Sequence, residues 1–228
     1  MKPILFSTPM VRALLNAKPG TYPVQPIDSS RPCKSQTRRV MKPQPTLESG
    51  KPDFWHWKDC VWANGGLGFP ESGIADHAPH KVGDKLWVRE TFCEVPYEHE
   101  HIQLADGWMS RPKIAYRADS KVDYTGMWKP SIHMPRYAAR LFPEVREVRV
   151  ERLQDIAEAD ARAEGESPTY KKLGYKECSY EREKKCHFAC NCFNARENFA
   201  GLWNAISGKG AWESNPWVWV YEFMRVEK

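Results

Sequence analysis

The chain closes on Trp-Val-Trp-Val-Tyr-Glu-Phe, residues 217–223, a segment with apolar side chains at almost every position. In an extended strand Trp217, Trp219, Tyr221 and Phe223 fall on one side and Val218 and Val220 on the other. A strand of this kind has no face to give to water, so it belongs in the middle of the fold with cover on both sides. The rest of the chain must supply its neighbours and its cover.

Candidate neighbours are short. Strands are expected over residues 4–6, 86–89, 113–117, 138–141 and 145–152, the last with Val148 and Val150 alternating with charged residues. Three helical patterns accompany them. Thr8 caps and Pro9 opens the first, which turns Val11, Leu14 and Leu15 to one face and runs out at Lys18-Pro19-Gly20. Asp155 and Glu158 stand in capping-box spacing at the head of the second, and Gly165 stops it. The third, over 195–206, places Phe199, Leu202, Trp203 and Ile206 on one face behind an Asn194/Glu197 box. Strands at both ends and few helices predict a small mixed α+β domain around a curved or barrel-like sheet.

With 228 residues, 41% hydrophobic and 28% charged, the chain is long enough for one core and reads as one domain over 1–228. Pro-rich or polar insertions are expected at about 19–32, 43–80 and 166–192. No apolar run is long enough to span a membrane, and Pro3, Ser7-Thr8-Pro9 and Arg12 break any leader-like stretch at the N-terminus. Seven cysteines, an odd number without an export signal, favour a reducing cytoplasm and free thiols.

Charge is distributed unevenly. No acid lies between Asp28 and Glu48, while Arg31, Lys34, Arg38, Arg39 and Lys42 contribute five positive charges, matching the net charge of +5. This argues for a local anion site rather than a protein coated in positive charge. Within it Lys34 and Thr37 stand three apart. Glu164 shares the helical phase of Ile156 and so should turn inward, where a carboxylate suits general acid or base work. On spacing alone, a solvated or phosphate-positioning patch and a surface glutamate at a helix end account for the same residues.

Other candidates are the rigid loop around His133, which presents Ser131 and Arg136 to a base or phosphate or merely fixes itself, and Glu90, expected to pair with Arg89 or Arg39. Cys178, Cys186, Cys190 and Cys192, with His187 among them, fall within fifteen residues. They form either a structural zinc clip or a set of free thiols.

Lys-Ser-Gln-Thr-Arg-Arg at 34–39, Val-Gly-Asp-Lys-Leu-Trp-Val-Arg-Glu at 82–90, Gln-Asp-Ile-Ala-Glu-Ala-Asp-Ala-Arg-Ala-Glu-Gly at 154–165 and the closing strand together resemble the ASCH domain, a PUA-like fold, in the form common among phage-encoded proteins. The family motif Gly-x-Lys-x-x-Thr-x-Arg is matched at Lys34, Thr37 and Arg39, whereas Pro32 stands in place of the glycine. The resemblance implies an RNA- or nucleic-acid-binding domain. Its similarity to the family's N4-acetylcytidine amidohydrolases implies further that Lys34, Thr37 and Glu164 hydrolyse an amide on the exocyclic nitrogen of a modified cytidine, with no cofactor. Arg38 and Arg39, with Ser131, His133 and Arg136, would then hold the substrate. Two other readings stay open: a non-catalytic module for RNA or modified DNA, and a phage interaction protein acting in the host cytoplasm.

Overall fold

A computed structural model describes residues 1–29, 31–49, 54–58, 60–63, 74–95, 113–119, 127–165 and 195–227. In chain order the elements are β1 (Lys2–Leu5), α1 (Thr8–Leu15), β2 (Gln36–Val40), β3 (Thr46–Leu47), β4 (Phe54–Trp57), β5 (Cys60–Ala63) and β6 (Leu86–Arg89). They continue with β7 (Phe92–Val95), β8 (Lys113–Tyr116), β9 (Phe142–Arg152), α2 (Glu158–Ala163), α3 (Ala195–Ser207) and β10 (Trp217–Val226). The architecture is mixed α+β. The described strands form several small sheets and do not close into a barrel: β2-β10-β9 and β3-β4-β5 are antiparallel, β1 pairs with β6 in parallel, and β7 pairs with β8 antiparallel.

β10 is the central strand, with β2 on one side and β9 on the other. Its alternation divides the interior. Trp219, Tyr221 and Phe223 enter a core with Ile4 and Phe6, with Val11 and Leu14 of α1, and with Leu86 and Val88 of β6. Val218 and Val220 enter a second core with Leu153, Ile156, Ala161, Phe199 and Trp203, supplied by the α2 and α3 region. Each of these two valines is fully buried, which contributes roughly 1.5–3 kcal/mol relative to exposure. The register with β9 shifts between Glu222 and Phe223, so Glu222 faces Glu147 and Phe223 faces Val145, leaving Arg146 as the extra residue of a bulge.

Several expectations are corrected at the level of elements. Ser7, not Thr8, is the N-cap of α1, and the helix ends at Leu15 rather than running to Lys18. Asn16 stops it and anchors the following insertion, donating to the carbonyls of Asp28 (2.8 Å) and Arg31 (3.1 Å) and accepting from the Asp28 N–H (2.8 Å). Residues 138–141 form no strand. Pro135 opens a 3-10 turn over Arg136–Ala138, and Ala138 and Ala139 are buried in a third core with Trp87, Met134 and Phe142. Part of the 43–80 insertion is regular: β3, β4 and β5 make a meander whose Trp55 and Trp57 meet Trp217 and Trp219 edge to face at 5.7 and 5.6 Å.

The Asp155/Glu158 box does not form. Leu153–Asp155 is a 3-10 turn and α2 starts only at Glu158, whose carboxylate instead accepts the N–H groups of Ala195 (2.9 Å) and Arg196 (3.2 Å) at the head of α3. On α3, Phe199 and Trp203 are buried but Ile206 is 61% exposed, because the helix passes beyond the core in its last turn. Asn194 lies outside the described residues, as does the whole 166–192 insertion. Among the described residues no helix is long and apolar enough to cross a membrane.

Candidate functional site

Lys34 and Ser35 lead into β2, and their backbone is tied to three other elements. The Lys34 N–H donates to Ala13 O (3.1 Å), the Ser35 N–H to Ala163 O (2.9 Å), and Ser35 O accepts from the Phe223 N–H (2.9 Å). Lys34 also forms an isolated antiparallel bridge with Glu164. The approach is close because residue 165 is glycine. Gly165 has φ +79°, and a Cβ there would stand 2.8 Å from Ala13 Cβ and 3.0 Å from Lys34 Cβ.

This bridge sets two charged side chains together in the interior. Lys34 is 0% exposed, and its Nζ donates to Gln36 O (2.7 Å), Glu164 O (2.7 Å) and Glu164 Oε2 (3.0 Å). All three ammonium protons have an acceptor. Burial draws the Lys34 amine below the ordinary lysine range, and the Glu164 carboxylate works against that shift. The Phe6 ring lies 5.2 Å from Nζ on another side.

β2 then deals its residues to two faces. Gln36 and Arg38 turn toward α2, and Thr37 and Arg39 turn toward the core that holds Tyr221 and Trp219, their register partners on β10. Arg38 reaches Glu164 Oε1 (3.2 Å), Glu151 Oε2 (2.9 Å) and Asp160 Oδ2 (3.3 Å) and has a fully buried side chain. It is therefore committed to carboxylates rather than offered to a ligand. Arg149 extends the network to Asp160 (3.1 Å), to Glu222 and to Glu151. Glu164 thus straddles the edge of β2, one carboxylate oxygen on Lys34 and the other on Arg38.

On the opposite face, Thr37 is buried beside Tyr221, and among the described residues no hydrogen bond links its hydroxyl to Lys34 or Glu164. Burial pushes the Tyr221 hydroxyl up to about 12, offset in part by the His80 backbone N–H. The His80 ring meets the Tyr221 ring at 5.3 Å. Its Nδ1 is buried and finds no partner among the described residues, and desolvation draws the imidazole below its ordinary value. Arg39 donates to Leu5 O (2.8 Å) and lies 5.9 Å from the Phe6 ring.

Sequence reasoning placed Lys34, Thr37, Glu164 and both arginines here. It missed Phe6, His80, Glu151 and Asp160, and it read Tyr221 only as core. The single signal available was the spacing of Asp160 and Glu164, four apart on one helix face.

The remaining candidates lie elsewhere. Ser131 and His133 sit in a 3-10 turn with His133 and Arg136 exposed, and no hydrogen bond or ion pair joins their side chains to Lys34 or Glu164 among the described residues. The loop is pinned by Met134, fully buried, whose sulfur accepts the Glu90 N–H at 3.1 Å. Glu90 pairs with neither Arg89 nor Arg39. Neighbouring residues of a strand point to opposite faces, and Arg89 turns over the Trp87 ring at 4.9 Å. Glu90 instead makes a two-pronged pair with Arg140, Nε to Oε1 and Nη2 to Oε2, both at 2.9 Å, and Arg140 also reaches Asp119.

Cys178, Cys186, Cys190 and Cys192 lie outside the described residues. Among the described residues no group of histidine, cysteine, aspartate and glutamate is arranged to hold a metal, and Cys33 and Cys93 are free. Comparisons with protein-family models, with curated proteins and with solved structures return no match.

Proposed function

We propose that this chain is a PUA-like domain of the ASCH type that binds an acylated cytidine and hydrolyses the amide on its exocyclic nitrogen. The motif resemblance supplies the reaction class. The observation that carries the reading is the contact of a completely buried Lys34 amine with the Glu164 carboxylate at 3.0 Å, three residues from Thr37. A lysine held below its ordinary pKa by desolvation, in contact with a carboxylate, is a proton-transfer pair.

Lys34 gives one proton to Glu164, which leaves a neutral amine and a carboxylic acid. The amine takes the Thr37 proton as Oγ1 attacks the acyl carbon, and Glu164 returns its proton to the departing exocyclic nitrogen as the C–N bond breaks. The cytidine amine leaves, and an acyl ester remains on Thr37. Glu164 then takes a proton from water as the water oxygen attacks that ester, Lys34 gives a proton to the departing Thr37 oxygen, the free acid leaves, and Glu164 passes its proton back to the Lys34 amine, which regenerates the resting ion pair. Substrate binding must swing Thr37 and Lys34 into contact, since the resting bonds of Nζ go to Gln36 and Glu164.

That saturation of Nζ favours a second reading, in which the pair is structural and the domain binds RNA or modified DNA without turnover. Following cytidine release from N4-acetylcytidine by the wild type, Thr37→Val and Lys34→Arg separates the two. The catalytic reading expects turnover by the wild type and a loss of about 10²-fold or more in both variants, with binding retained. Binding without hydrolysis by the wild type would leave the second reading in its place. The reducing cytoplasm is the compartment we propose, on the odd cysteine count of seven.

A further inference from the structure

The cations of the β2 segment are not equally balanced. Lys34 has Glu164 at 3.0 Å, and Arg38 has Glu164, Glu151 and Asp160 at 3.2, 2.9 and 3.3 Å. Arg39 has no carboxylate partner among the described residues. Among the described residues its guanidinium donates to the Leu5 carbonyl at 2.8 Å, and the Phe6 ring lies 5.9 Å away. A guanidinium carries five N–H donors in a planar fork, so most of them are uncommitted. The group is half-buried and its desolvation lowers the guanidinium pKa, while Glu164, beyond ion-pair distance, partly offsets that and the Lys34 ammonium lies close by.

Its position is informative as well. Thr37 and Arg39 stand on the same face of β2, two residues and so roughly 7 Å apart along the strand. In an N4-acylated cytidine nucleotide the acyl group and the 5′-phosphate stand at opposite ends, farther apart than this backbone spacing, and the long side chain of Arg39 covers the difference. Phosphate oxygens accept the paired donors of a guanidinium in a way that no neutral group does.

We propose that Arg39 holds the phosphate of a cytidine nucleotide, so that the site takes an anionic nucleotide in preference to the bare nucleoside. This rests on the cytidine reading given above. It does not depend on turnover.

The test is calorimetric titration of the full chain with cytidine 5′-monophosphate and with cytidine, at low and at high salt. The wild type is expected to bind the monophosphate about tenfold or more tightly than cytidine, as one charge-assisted pair supplies. The ratio should shrink as salt rises. It should fall to about one in Arg39→Gln, while Arg39→Lys, which keeps the charge without the fork, retains part of it. Equal wild-type affinities would overturn the proposal, and so would a preference that survives Arg39→Gln. The wild-type ratio decides the matter even where the glutamine variant does not fold. Cytidine binding with no gain from the phosphate would leave the cytidine reading standing and this one fallen; failure of both ligands to bind would remove both.

Discussion

Lys34 Nζ has three protons and three acceptors, and one of the acceptors is a carboxylate that also serves Arg38. Glu164 therefore neutralises two buried cations at once. Replacing it with glutamine leaves both in the interior with less compensation, and Glu164→Gln is expected to lower stability by about 3–5 kcal/mol, read from urea denaturation. A loss below about 1 kcal/mol would show the pair to be solvated. Tyr221 gives a pH signature on the same sheet. Its hydroxyl is raised in the folded state from 10.0 to about 12, so its stability contribution is full below pH 10 and is lost as pH climbs toward 12. Wild type should lose roughly 2–3 kcal/mol across that window relative to Tyr221→Phe, and parallel pH curves would contradict the assignment. At this scale the motif named Lys34 and Thr37, and helical phase together with the amidohydrolase resemblance named Glu164, whose orientation has a further cause. It sits at the C-cap of α2, aimed by the turn at Gly165 as much as by helical phase. Tyr221 and His80 were not legible, because an aromatic in a core strand and a histidine in a loop look the same whether or not they border a site.

The turn at Gly165 joins α2 to the segment ahead of β2, and it does so in a left-handed conformation with no room for a side chain. Gly165→Ala combines backbone strain with contact against Ala13 and Lys34 Cβ atoms, neither of which is a flexible end. A loss of about 2 kcal/mol or more is expected, together with loss of any activity that depends on Lys34; a silent substitution would mean that the bridge gives way easily. Among elements, β10 was legible because apolar side chains on both faces leave a strand only one place to go. The strands over 54–57 and 60–63 were not, since four residues are too few to show a period and Trp55 and Trp57 are fixed by Trp217 and Trp219, some 160 residues away. The reverse error, a strand at 138–141, came from counting apolar residues where alanines after Pro135 pack into the third core without pairing.

Over the whole molecule, the net charge of +5 coincides with the cations of 31–42, which pointed to a local anion site. The fold cancels much of it. Glu151, Asp160 and Glu164 return from more than a hundred residues downstream to neutralise Lys34 and Arg38, a balance that no local reading of charge contains. What is left is a desolvated lysine and glutamate on the edge of β2, with Thr37 and Arg39 on the face beyond and the two cores of β10 packed on either side of the sheet. The mixed α+β class follows from the sequence pattern, whereas the arrangement into separate small sheets depends on pairings between distant segments. The most direct measurement on the central claim is a single turnover of N4-acetylcytidine, quenched in acid and mapped by peptide mass spectrometry. An acetyl group on the peptide at Thr37, formed as cytidine is released and absent in Thr37→Val, is the predicted result. Cytidine release with Thr37 unmodified and with full activity in Thr37→Val, or no release at all, would contradict it.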